Sequence, residues 1–308
     1  MSRLLDDVIA LKHKDEAIDN FLRRMQSEKA PAIEISEVAK VYLADGKTWK
    51  IEDFPCVAPP FRCFWLEARL PYPGVRCGCA VSAEESRTST AHRWSCRADI
   101  IVAQDPIDPV YLGAYFCFVD SSGTLVGLPD ELRKKVDGHP GTITLAHDIT
   151  GPPRAIFMPS PRLGTDSVGK RLVLDTIQPW ASWIVGLTLC ALSFLHCRGV
   201  TLLDAPPVSA KLARARERRG KAPLVRFEVL QIGPAVHRLR QESNTPDGES
   251  IKRALHICRG HFIHYDGQDG RGLLFGKHKA IVWQPQHVRG TLEAGKVIKD
   301  YAVRTGTP

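Results

Sequence analysis

The chain has 308 residues, enough for two modest domains or one large domain with insertions. Apolar residues make up 44 % and charged residues 25 %, which excludes a wholly disordered protein, a collagen-like fibre and a multispanning membrane protein. Lys and Arg number 42 against 34 Asp and Glu, a formal net charge of +8, so an anionic partner is permitted but not required.

Leu4, Val8, Leu11, Ile18, Phe21, Leu22 and Met25 fall near a 3.6-residue period with charges between them. This predicts one or two amphipathic helices. Residues 34–43 form a second helix candidate, stopped at Asp45-Gly46. From about residue 49 to 128 the pattern turns strand-like, at 61–70, 75–81, 100–103 and 111–119. Pro and Gly punctuate these runs, and an antiparallel sheet is expected. A short helix is expected over 129–136 and a loop over the Pro/Gly-rich 139–161.

Residues 178–196 are the most apolar run. Pro179 suits a first helical turn and Arg198-Gly199 a stop. Gln178, Ser182, Thr188 and Ser193 argue for a buried central helix over a membrane span. Ala205-Pro206-Pro207 reads as a linker, followed by a basic helix over 211–219 and a half-buried strand over 224–230. Strands are expected at 254–258, 280–283 and 297–303, making a small, mostly antiparallel sheet. The fold class is α+β, with an N-terminal domain over 1–205 and a basic C-terminal α/β module over 206–308.

The charge is uneven. Residues 211–308 hold 19 Lys and Arg against 9 Asp and Glu, while residues 1–210 hold 23 against 25. Such asymmetry is the electrostatic footprint of a surface that meets phosphate; its plainer reading is a solvated basic face. Within it, Lys211, Arg214, Arg216, Arg218, Arg219 and Lys221 set six cations against Glu217 alone. A helix carrying them can lie along a nucleic-acid backbone.

Five of the eleven histidines, His256, His261, His264, His278 and His287, lie within 251–290 beside Arg259, Lys277, Lys279 and Arg289. If the phrases His256-Ile257-Cys258-Arg259-Gly260-His261-Phe262 and His287-Val288-Arg289-Gly290 lie side by side, His261 and His287 converge with Arg259 and Arg289. Imidazole moves protons near neutral pH, and Arg and Lys stabilise charge on phosphate oxygens. The set suits transfer of a ribose 2′-hydroxyl onto the adjacent phosphate without metal or cofactor. It suits binding without cleavage equally well. In either case Lys277 and Lys279 join the phosphate contacts.

Other constellations are weaker. His256, His261, His264 and Cys258 offer zinc-ligand types, but alternation divides them between strand faces. Cys63, Cys77, Cys79, Cys96 and His92 match no zinc spacing, and cysteines within strands are more simply small hydrophobes. The P-loop-like run at 164–171 has Arg171 where a magnesium-binding Ser or Thr is needed. Nine cysteines, an odd number, and a charged opening without a signal-peptide core point to a reducing cytoplasm.

The phrases Phe194-Leu195-His196-Cys197, the basic run over 211–226, His256 to Phe262, Leu274-Phe275-Gly276-Lys277 and His287-Val288-Arg289-Gly290 resemble a family of bacterial phage and mobile-element proteins with no assigned activity. The resemblance implies a cytoplasmic, phage- or plasmid-associated setting, with nucleic acids and host conflict as themes. The leading expectation is a nucleic-acid-interacting protein, extending to a metal-independent endoribonuclease. One alternative is a non-enzymatic structural or regulatory phage protein whose N-terminal helices bind a protein partner. Another is an enzyme acting on a nucleotide or small phosphate compound.

Overall fold

The apolar stripe at the N-terminus resolves into two helices, α1 (Leu4–Ala10) and α2 (Glu16–Ser27). Residues 34–43 are not one helix: Ala32–Glu34 forms strand β1, and helix α3 starts at Ser36 and ends at Leu43. Glu34 turns the chain between them, its Oε1 accepting the Ser36 N–H at 3.2 Å. The computed structural model describes residues 3–11, 16–44, 49–87, 89, 91–127, 143–144, 155–159, 178–205, 211, 214–215, 218, 227–232, 254–258, 260–265, 280–289 and 291–296. They fall into two units. The first takes Met1–Tyr42, Trp49–His196 and Val200–Ile232; the second takes Leu43–Thr48, Cys197–Gly199 and Gly233–Pro308.

The first unit is built on one large sheet. Its long strands are β2 (Cys63–Arg69), β3 (Val75–Glu85), β4 (Trp94–Gln104) and β5 (Val110–Val119). Shorter ones are β6 (Leu125–Val126), β7 (Ile143–Thr144), β8 (Ala155–Pro159), β9 (Val200–Asp204) and β10 (Phe227–Ile232). Their order is β7-β8-β5-β4-β3-β2-β1-β10-β9, with β6 also paired to β5. The strands expected over 49–128 pair antiparallel throughout, from β2 to β6; the whole sheet is mixed because β1, before that region, runs parallel to both β2 and β10. Parallel neighbours need a crossover, and α3 supplies it between β1 and β2. Two strands, β7 and β8, occupy the stretch expected to be loop.

The expected body around one long apolar helix is also corrected: the sheet is the centre. From Val75 to Val81, β3 is buried on both faces, so each face needs its own cover. On one, α1 and α2 bury Leu4, Leu5, Val8, Ile18, Phe21 and Met25 against Trp65, Ala80 and Ile101. On the other lies α4 (Gln178–Leu195). There the Thr188 hydroxyl donates to the Ile184 carbonyl at 2.8 Å and meets Cys79 Sγ at 3.2 Å. Tyr42 of α3 joins this layer, edge-on to Trp183 with ring centroids 5.7 Å apart. Burying each large apolar side chain in these two layers contributes about 1.5–3 kcal/mol. No helix among the described residues is long and apolar enough to cross a membrane.

The expected boundary at 205/206 falls between β9 and β10, which pair antiparallel from Glu228 opposite Asp204 to Ile232 opposite Val200. The first unit therefore runs past that point, to Ile232. In the second unit, β11 (Ala254–Cys258), β14 (His287–Arg289) and β15 (Thr291–Lys296) form a three-stranded sheet in the order β14-β11-β15. Strands β12 (His261–Tyr265) and β13 (Ala280–Gln284) form a separate pair. The expected helix at 129–136, the 164–171 run and the strand at 297–303 lie outside the described residues.

Candidate nucleic-acid interface

The basic run after β9 is helical at each of its described residues, Lys211, Arg214, Ala215 and Arg218. Ala, Arg and Lys are strong helix formers, so propensity alone favours this state. The three cations are exposed, and Ala215 is half-buried. Offsets of three and seven residues place Lys211, Arg214 and Arg218 on one side of a helix, spanning about 10 Å. Arg216, Arg219 and Lys221 lie outside the described residues. This segment belongs to the first unit and the histidine phrases to the second, so the two halves of the expected basic module are parts of different units.

The histidine phrases do lie side by side. Strand β11 pairs antiparallel with β14, His256 opposite Arg289 and Cys258 opposite His287. Strand β12 pairs with β13, His261 opposite Gln284 and Tyr265 opposite Ala280. Both pairings follow one antiparallel register, although β11–β14 and β12–β13 belong to separate sheets. His261 and His287 are not cross-strand partners: they sit in rows three residues apart. Arg259, Lys277 and Lys279 lie outside the described residues.

Aromatic packing fixes the β12–β13 arm. Phe262 and Trp283 stand opposite each other with centroids 4.9 Å apart, tilted by 64°. A Cβ on Gly260 would collide with the Trp283 ring, so the glycine admits the indole. His261 and His264 are exposed at this arm. A second anchor is the Arg198 N–H, which donates to the Ile281 carbonyl at 2.8 Å.

The first unit has a groove of about 380 Å³ beside α2, lined among others by Asn20, Arg24, Ser82, Glu84, Arg97 and Asp99. Its cations already have anions. Arg24 Nε meets Glu28 at 2.7 Å, and Arg97 forks onto Asp99 at 2.7–3.2 Å. Asp99, buried, also accepts from the Tyr111 hydroxyl at 2.7 Å. Burial first, then the Asp99 charge, raises the Tyr111 pKa. A groove so neutralised is a poor receptor for phosphate.

The cysteines set aside as small hydrophobes do not gather. Cys63 lies in the core under α2, whereas Cys79 faces α4. His92 is held elsewhere, with Nδ1 3.0 Å from Ser89 Oγ and its ring edge-on to Phe118. No group of metal ligands forms among the described residues. One Cys–His pair escaped the sequence reading altogether, Cys56 with His196. No protein-family model, curated protein or solved structure matches the chain.

Proposed function

We propose that the chain is a nucleic-acid-interacting protein that engages phosphates through its basic last third. The observation that carries this is the placement of Lys211, Arg214 and Arg218, three exposed cations on one side of a helical segment. Each can neutralise a phosphate and release a counterion. The exposed His261 and His264 on a two-stranded arm add donors of the kind β-ribbons present to nucleic acids.

Endoribonuclease activity is the second reading. It is favoured by the register that sets His256 opposite Arg289 and His287 opposite Cys258, which brings the two histidine phrases together. The three-row offset between His261 and His287 counts against that pair as acid and base, and shifts the reading toward binding. The cytoplasmic phage or mobile-element setting is the part of the proposal that rests on the resemblance of the sequence phrases. Binding by the N-terminal helices to a protein partner is disfavoured, because their apolar stripe is buried on the chain's own sheet.

The test is binding of fluorescent single-stranded RNA, single-stranded DNA and duplex DNA at two salt concentrations, with products sized on a gel. Salt-sensitive binding with intact substrate supports the first reading, and cleavage supports the second. Absence of binding to all three probes at low salt overturns both.

A further inference from the structure

Cys56 and His196 are 140 residues apart in sequence and adjacent in the first unit. Ala58 serves both of them. Its carbonyl accepts from His196 Nε2 at 2.7 Å, and its backbone N–H points at the Cys56 sulfur. A carbonyl only accepts, so Nε2 carries the proton and Nδ1 of the neutral ring remains an acceptor. The ring and the thiol are thereby brought together at Ala58 and interact with one another. Ser193, one turn earlier in α4, donates its hydroxyl to the Cys56 carbonyl at 3.0 Å and so pins the cysteine to the helix end.

The opposite wall is Gly123. It has φ +88°, and a Cβ there would collide with Cys56 Sγ. Only glycine leaves the sulfur room. Gly123 sits in a turn tied by Asp120, whose Oδ1 accepts the N–H groups of Ser122 at 2.8 Å and Thr124 at 3.0 Å. The Gly123 carbonyl accepts the Val57 N–H at 2.7 Å. The thiol is thus held on two sides, against a base oriented by a third group, the arrangement that activates a nucleophile.

We propose that Cys56 is a reactive thiol, paired with His196 as thiolate and imidazolium, that undergoes exchange with small disulfides. In that step the Cys56 thiolate attacks one sulfur of the disulfide. The old S–S bond breaks, a mixed disulfide forms on Cys56, and the departing thiolate takes the proton from His196. Three features favour the charged pair. The thiol bond and the Ala58 carbonyl raise the His196 pKa against burial. Burial pushes the Cys56 thiol up, but the His196 and Ala58 hydrogen bonds and the imidazolium charge outweigh it. His196 also follows the C-terminus of α4, where the helix dipole favours a cation. The Asp120 carboxylate opposes this, raising the thiol pKa.

The other cysteines provide a contrast. Burial pushes Cys63 up to about 11, Cys79 up to about 12 and Cys77 well above an ordinary thiol, and the bond to Cys96, then burial, does the same to Cys117. Among the nine, only Cys56 and Cys258 are not buried.

The experiment uses the full chain, limiting iodoacetamide across pH 5–9 and peptide mapping. Glutathione disulfide is then added and adducts are counted by intact mass. Cys56 is expected to alkylate about tenfold faster than Cys258 near neutral pH, with a midpoint below that of an ordinary thiol. One glutathione adduct is expected, and Cys56→Ser abolishes it. His196→Gln, checked for an unchanged melting temperature, is expected to return the pH profile to that of an ordinary thiol; His196→Asn, tested in parallel, covers the case that the first variant does not fold. Three results overturn the proposal: Cys56 no faster than Cys258, a pH profile unmoved in the folded variant, or alkylation without a mixed disulfide.

Discussion

The Glu67 carboxylate, on β2, accepts the Leu4 N–H at 2.8 Å and the Leu5 N–H at 3.0 Å, capping α1 from more than sixty residues away. Helix α1 is not capped at its N-terminus from within: Arg3 holds the N-cap position, and its side chain makes no capping bond. The Trp65 indole N–H adds a third donor to Glu67 at 3.1 Å. One buried carboxylate thereby ties the N-terminal helix to the middle of the sheet. Glu67→Ala is expected to cost about 2–3 kcal/mol in urea unfolding, from a lost cap and three lost charge-assisted bonds. A change below about 0.5 kcal/mol would show that α1 is held by packing alone.

The same residue sets a pH dependence. Burial raises the Glu67 pKa, and the bonds from Leu4, Leu5 and Trp65 only partly oppose it. The folded pKa therefore exceeds the unfolded value of about 4.3. The stability linked to this group is complete below the unfolded pKa and is lost as pH rises through the folded one. Glu67→Gln has no such proton. The stability difference between wild type and Glu67→Gln is expected to shrink from pH 4 to pH 7 in unfolding measured at matched ionic strength. A gap that widens over that range contradicts the sign.

Gly78 on β3 admits the Trp65 ring, since a Cβ at position 78 would collide with it. Trp65 is fully buried, so its ring has no solvent to move into. Gly78→Ala is expected to destabilise by about 1–3 kcal/mol through overpacking. Chemical unfolding with the unchanged slope of a two-state transition checks it. A neutral result would mean that α1, not the indole, yields to the added methyl.

Asp99 holds Arg97 and the Tyr111 hydroxyl together. Its side chain is 4 % exposed and that of Arg97 is 40 % exposed. Because Arg97 remains hydrated, removing the carboxylate costs less than breaking a fully buried pair. Asp99→Asn is expected to lower stability by about 1–3 kcal/mol, read from the urea midpoint. It should also lower the Tyr111 pKa, observed as an earlier phenolate absorbance rise in alkaline titration. An unchanged phenolate titration would separate Tyr111 from Asp99.

Periodicity located the long elements and failed at the short ones. Residues 75–81 read as strand from their composition, yet β3 continues to Glu85 through cross-strand partners such as Ala83 with Cys96. Ser82, Glu84 and Glu85 are polar and carry no such signal. Strands β7 and β8 sit in Pro/Gly-rich sequence, and β9 alternates weakly with Leu203 exposed. Pairing with neighbours, not composition, makes these strands. At the proposed interface, the exposed cations of 211–218 were legible because charge clusters locally. The rows of the histidine strands were not, because register depends on two segments at once. Cys56 and His196 were invisible for the same reason.

Charge removal at Lys211, Arg214 and Arg218 tests the proposed interface directly. All three are exposed, so substituting them together by Ala should leave folding nearly unchanged. If each meets one phosphate, the slope of log affinity against log salt should fall by about 0.9 per contact on duplex DNA and about 0.7 on single strands. The triple variant is thus expected to lose two to three units of slope on duplex, and affinity should drop most at low salt. A variant that binds weakly with the wild-type slope would mean that the helix was distorted rather than discharged. Unchanged affinity and slope would move the phosphate contacts off this helix, leaving the exposed histidines of β12 as the next place to look.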